Sequence, residues 1–184
     1  MIIRSGFQKG FSLVELLVVV AILGVLAGLA APSFTSLIRS NRLTAAANDL
    51  LGAVALARSE ALKRAQRVVL CTSLDSATCD NSASWGDGWI VFLDSDNNSA
   101  RNVASEPLLR VGQSNEGVTS AVAGATVANY ISFTSRGAAR TTAGAIQSGV
   151  ITLCIPGQRA RRLDLVASGR ASIVQGGYAH EILG

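Results

Sequence analysis

From Gly10 to Ile38 the chain carries a single charged residue, Glu15. Residues 16–31 are almost wholly apolar. As a helix, residues 11–31 would span about 32 Å at 1.5 Å per residue, which matches the hydrocarbon thickness of a bilayer. A helix apolar on all sides needs lipid or other helices around it. Ahead of it stand nine residues with two cations, Arg4 and Lys9. Three readings fit this arrangement. One is a secretory signal peptide removed after a small-x-small site such as Gly28-Leu29-Ala30. Another is a plain transmembrane anchor. The third is a short basic leader cut ahead of the apolar stretch, which then stays with the mature chain.

Glu15 bears on the choice. A carboxylate in an apolar helix costs roughly 2.5–3.5 kcal/mol at the bilayer centre and is generally there to pair with something. The run Lys9-Gly10-Phe11-Ser12-Leu13-Val14-Glu15-Leu16-Leu17 resembles the processing motif of type IV pilins and type II secretion pseudopilins. The resemblance implies that a prepilin peptidase cuts after Gly10 and methylates the new N-terminal Phe11. It also implies that Glu15 pairs with the N-terminal amine of a neighbouring subunit during assembly. Two opposite charges that neutralise each other in an apolar bundle would also set its register. The implied partners are other pilin subunits, the peptidase and an inner-membrane assembly platform. The implied location is the bacterial inner membrane, single-pass with the head in the periplasm, and then the pilus at the cell surface. The basic leader would stay on the cytoplasmic side.

Composition limits the remainder. The chain has 184 residues, enough for one domain with a real core and too few for two ordinary ones. Charged residues are 15% against a usual value of about 25%, and hydrophobic residues are 49%, which excludes wholesale disorder. With one His and three Cys, the donor set does not suit a multi-ligand zinc site. His180 sits near the C-terminus and reads as a solvated tail residue, so neither a Ser-His-Asp nor a Cys-His pair has an obvious home. Gly157-Gln158-Arg159 lacks the Gly-Lys-Ser/Thr ending of a phosphate loop. An enzyme is not expected, and neither is a cofactor or a metal.

Beyond Pro32, where a kink is expected, Leu43, Ala47, Leu50, Val54, Ala57, Ala61 and Ala65 recur every three or four residues, one face of a helix. Glu60 and Arg64 form an i,i+4 pair. The helix is expected from about Phe11 to about Arg67. Val68-Val69-Leu70-Cys71, Trp89 to Leu93, Leu108 to Val111, Tyr130 to Phe133, Val150 to Cys154, Arg162 to Val166 and Ser172 to Val174 read as strands between Gly, Asn and Ser clusters. The expected fold class is α+β and pilin-like: a long N-terminal helix packed on a C-terminal antiparallel β-sheet head. The expected organisation is a leader over 1–10, a transmembrane and filament-core half-helix over 11–38, an amphipathic half-helix over 39–67 and a β-rich head over 68–184.

Several head motifs resemble one branch of the pilin-like proteins, the FimT/pseudopilin H minor pilins. They are Ala57-Arg58-Ser59-Glu60-Ala61, Val69-Leu70-Cys71, Trp85-Gly86-Asp87-Gly88-Trp89 and Ser168-Gly169-Arg170. In that branch, DNA binding during natural transformation involves a Gly-Arg-x-Arg motif near the C-terminus. Here Gly169-Arg170-Ala171-Ser172 keeps the first Arg and lacks the second. Residues 136–184 are net basic and 68–135 net acidic. Arg159, Arg161, Arg162 and Arg170 are therefore the candidate contacts to double-stranded DNA, through phosphates and without sequence readout. If the strands on either side of Pro156-Gly157 pair, Arg159 and Arg161 lie at a hairpin tip. No stacking platform stands nearby apart from Tyr178. The alternative is a structural minor pilin or pseudopilin that primes filament assembly, its arginines facing the acidic middle of a neighbouring subunit.

Two smaller features remain. Cys71 and Cys79, eight positions apart across a polar loop, suit a disulfide in an exported domain; a Cys71–Cys154 bond is the alternative. Asp94-Ser95-Asp96-Asn97-Asn98 starts like a calcium loop, but Ser99 and Ser105 occupy the places of its Gly and final Glu, and Glu106 comes one residue late. An Asx-rich turn accounts for the run without an ion.

Overall fold

Ser12 starts the helix. Its hydroxyl accepts a hydrogen bond from the Glu15 amide at 3.2 Å, so Ser12-x-x-Glu15 supplies the N-cap half of a capping box. Helix α1 then runs over Leu13–Arg64. The computed structural model describes residues 10–115 and 117–178, without the side chains of 29–33, 121–123 and 178. Arg4, Lys9, Glu116 and His180 lie outside the described residues. The chain divides into two units, Met1–Ile38 and Arg39–Gly184. In the first, the helical assignment continues through Pro32, and every described side chain over 13–28 and 34–38 is exposed.

In the second unit the helix carries a stripe of small and aliphatic residues. Leu43, Ala46, Ala47, Leu50, Ala53, Val54, Ala57 and Ala61 are all buried. This is the expected face with one exception. Ala65 is exposed and left-handed at φ 53°, because the helix ends at Arg64 rather than near Arg67. That left-handed residue turns the chain, and strand β1 starts two residues later.

The strands are β1 (Arg67–Thr72), β2 (Trp89–Asp94), β3 (Leu108–Gly112), β4 (Thr119–Ala123), β5 (Tyr130–Phe133), β6 (Gly149–Cys154), β7 (Arg159–Leu165) and β8 (Ala171–Tyr178), with a 3₁₀ turn at Ala125–Val127. They form two four-stranded sheets, ordered β3-β2-β1-β5 and β4-β6-β7-β8, and every pairing is antiparallel. One core joins Leu50, Val54 and Ala57 of the helix to Leu70, Val91 and Phe133 of the first sheet and Ile151, Leu163 and Leu165 of the second. The alanine stripe lets helix and strands approach closely. A smaller cluster of Val69, Cys71, Ile90 and Phe92 fills the other face of the first sheet.

A buried glutamine links the second half of the fold. The Gln147 side chain accepts from the Ser132 amide at 2.8 Å and donates to the Thr126 and Tyr130 carbonyls at 2.6 and 3.2 Å. These bonds replace the water that a fully buried amide would otherwise lose. The fold is α+β with the pilin-like arrangement expected, and β4 with its 3₁₀ turn is an addition to the strands expected.

Candidate filament and nucleic-acid interfaces

The first site is the start of the helix. Phe11 is 77% exposed, Leu13 75% and Val14 68%. Glu15 is exposed in the first turn, where its charge also favours the helix dipole. Among the described residues no helix is long and apolar enough to cross a membrane.

The head motifs have local physical reasons. The Trp85 indole N–H donates to the Val127 carbonyl at 3.1 Å. A Cβ on Gly86 would lie 2.3 Å from the Val118 carbonyl oxygen, so only glycine fits that approach. Asp87 accepts from the Ser84 amide at 2.8 Å and closes the turn. Trp89 lies flat against Gly112, with the Arg110 guanidinium 5.5 Å from its ring centroid. Arg110 also pairs with Asp49 of the helix.

The disulfide joins Cys71 to Cys79, with 5.6 Å between the α-carbons. Cys154 is free and buried, and burial pushes its thiol pKa up. Within the closed loop, Asp75 accepts from the Thr78 amide at 2.7 Å, the Thr78 hydroxyl at 2.7 Å, the Ala77 amide at 2.8 Å and the Ser73 hydroxyl at 3.0 Å. These donors, those of Thr78 foremost, hold its carboxyl well below the usual carboxylate range.

The acidic turn after β2 folds around Glu106, which is 2% exposed. Oxygens of Asp94, Asp96 and Glu106 lie within 4.8 Å of one another, close enough to hold a cation. Main-chain amides already engage them. Glu106 accepts from the amides of Ser95 and Asn102, both at 2.8 Å. Asp94 accepts from those of Asn98 and Ser99 at 3.1 and 3.2 Å. Burial raises the Asp94 pKa. Burial also pushes on Glu106, but the Asn102 and Ser95 amides outweigh it and lower its pKa.

The four candidate arginines do not converge. Arg159 begins β7 and Arg161 sits in the ladder opposite Leu153, so Arg161 is not at a hairpin tip. The turn is shorter than expected because β7 starts at residue 159. The Arg161 guanidinium donates to the Thr44 hydroxyl at 3.2 Å and to the Arg159 carbonyl at 3.2 Å. Arg162 alternates to the opposite face and pairs with Asp164 at 3.4 Å. Arg170 lies beyond the other end of β7, whose seven residues span about 23 Å at 3.3 Å per residue.

Arg170 instead stands with Arg58 and Lys63. These three line a groove of about 460 Å³ with an apolar floor that includes Leu51, Val54 and Leu62. The Arg58 Nε donates to the Gly137 carbonyl at 3.0 Å, and Lys63 and Arg64 both reach Glu60, at 3.2 and 2.7 Å. Arg170 is exposed; its carbonyl accepts from the Val166 amide at 3.0 Å, and its guanidinium has no ion-pair partner among the described residues. A Cβ on Gly169 would meet the Gly137 carbonyl oxygen at 2.3 Å, so the glycine is what brings this turn against the loop and the helix. Sequence reasoning missed Arg58 and Lys63 as groove residues; their signal was the spacing of cations on the helix beside the Ala57/Ala61 stripe.

Residues 46–169 match the family of type II transport protein GspH. The chain belongs to that family. Residues 6–31 match the prokaryotic N-terminal methylation motif. No curated protein matches the chain. Among solved structures, the fold is similar to the Pseudomonas aeruginosa type IV minor pilin FimU, at 20% identity and a TM-score of 0.55, covering 73% of this chain and 89% of that one. It is also similar to the minor pseudopilin EpsH of the Vibrio cholerae type II secretion system, at 10% identity and a TM-score of 0.51, covering 76% of this GspH-family chain and 98% of that one.

Proposed function

We propose that this GspH-family chain is a minor subunit of a type IV pilus or of a type II secretion pseudopilus. In this reading a prepilin peptidase cuts after Gly10 and methylates Phe11. Residues 11–38 are held in the inner membrane and then packed among the same segments of other subunits. Glu15 pairs with a neighbour's terminal amine, and the head faces the periplasm and then the filament surface. The observation that carries the reading is the helix itself. Its described side chains are apolar and exposed on all sides from Leu13 to Gly28 except at Glu15, a surface that only lipid or other helices can cover. Glu15→Ala is the direct test. In cells of the native host it should leave processing intact and remove the chain from sheared filaments or, where the system is secretory, abolish its incorporation. Undiminished incorporation would contradict the pairing role.

A second reading, double-stranded DNA capture for uptake in natural transformation, is favoured by Arg170, exposed and without an ion-pair partner among the described residues beside Arg58 and Lys63. Phosphate contacts from Arg170 and Lys63 release counterions, so affinity should fall with salt. Replacing both with Ala should weaken binding uniformly and reduce the salt slope by about 2. An unchanged slope, or no binding at low salt, would leave the structural role alone.

A further inference from the structure

Phosphate contacts account for only half of the groove beside Arg170. Its floor is aliphatic, built from Leu51, Val54, Ala55 and Leu62, and Leu62 is 50% exposed. A phosphate backbone uses the cations and leaves that floor uncovered. The groove's volume of about 460 Å³ falls within the range of about 300–1,000 Å³ usual for binding clefts. Its walls are fixed in advance. A Cβ on Gly137 would lie 3.1 Å from Leu62, the Gly137 carbonyl accepts from the Arg58 Nε at 3.0 Å, and Gly169 closes on the same carbonyl. A groove held in this way has little left to order when it is filled.

The cations around it lack internal counter-charges. Arg170 and Arg136, which precedes Gly137, are exposed and have no ion-pair partner among the described residues, and Arg58 bonds to a neutral carbonyl. The described carboxylates of the head are already engaged within the chain. Asp49, Glu60 and Asp164 pair with cations. Asp75, Asp80, Asp87, Asp94, Asp96 and Glu106 accept from main-chain amides of their own turns. The counter-charge for the groove therefore comes from another molecule, and the floor asks that molecule for aliphatic side chains as well. We propose that the groove receives an amphipathic acidic segment, aliphatic side chains flanked by Asp or Glu, from a different subunit of the filament. The aliphatic side chains cover the floor, and the carboxylates meet Arg58, Arg136 and Arg170 in charge-assisted hydrogen bonds. The same cations discriminate against basic or neutral segments.

The proposal rests on the filament reading, and the test separates the two. A photoreactive benzoylphenylalanine replaces Ala55, an exposed residue of the groove, in the full chain in native cells, and separately replaces Val25 in the apolar helix. The expected result is an Ala55-site adduct that mass spectrometry maps to an acidic, aliphatic-bearing segment of another subunit. Its yield should fall about tenfold with Arg170→Glu, since opposed like charges cost an interface heavily. It should survive Arg170→Lys, and also Arg39→Glu, which reverses an exposed arginine elsewhere on the helix. Replacing the mapped carboxylate with Lys should restore the adduct in the Arg170→Glu chain. Val25-site adducts to other subunits without such an Ala55-site adduct would overturn the proposal while the filament reading stands. So would Ala55-site adducts to DNA, to lipid, to a second copy or to residues 179–184 of the same chain, or a yield that Arg170→Glu leaves unchanged. No inter-subunit adduct at either position would overturn both.

Discussion

Gly169 shows how one missing methylene positions a neighbouring charged side chain. Its φ is +79°, a region costly for other residues, and a Cβ there would strike the Gly137 carbonyl oxygen at 2.3 Å. Gly169→Ala should cost about 1–3 kcal/mol, which lowers Tm by roughly 3–10 °C for a chain of this size. An unchanged melting curve would contradict the packing described. Asp75 acts by charge. Its folded-state pKa lies below the unfolded value of about 4, so its contribution to stability is present above that value and lost only as pH falls through the lowered one. Amide-exchange protection over residues 72–80 should therefore be equal at pH 7 and at pH 5. Asp75→Ala should lose it at both. Loss of protection at pH 5 in the unaltered protein would contradict the account. The glycine and the aspartate are both visible in the sequence, but their partners, 32 residues away for one and within a disulfide loop for the other, are not.

At the scale of elements, periodicity marked what burial enforces. The alanine and leucine stripe over 43–61 is legible because a helix against sheets must repeat every three or four residues, and β1, β2 and β5 are apolar runs buried in the head. β4 is not legible: Thr119-Ser120-Ala121-Val122-Ala123 is mostly small and weakly β-forming, and its pairing with β6 makes it a strand. The placement of the arginines differs from the expected hairpin tip for a related reason. Arg159, Arg161 and Arg162 are adjacent in sequence, but strand alternation and the early start of β7 divide them, while Arg58 and Arg170, 112 positions apart, come together. Gln147 is a further case, since nothing local marks it as the link between β5 and the 3₁₀ turn. Gln147→Leu leaves the Ser132 amide and two carbonyls without partners and should destabilise the protein by roughly 1–3 kcal/mol. Chemical denaturation checks this, and a variant as stable as the parent would contradict the linking role.

For the whole molecule, the central claim is that the chain is processed and then assembled. The motif at Gly10, Phe11 and Glu15 is short, and its meaning depends on the apolar helix that follows and the GspH-type head. A capped helix start at Ser12 fits a mature chain beginning one residue earlier, because the cap lies within the retained sequence. The two similar folds belong to a pilus in one case and a secretion system in the other, so the fold by itself is common to both kinds of filament. The most direct measurement is mass spectrometry of the chain's N-terminus, taken from filaments sheared from, or assembled in, its native host. The account predicts a chain that begins at Phe11 and carries one N-methyl group. A chain that begins near Ala31, or one that retains residues 1–10, would contradict it.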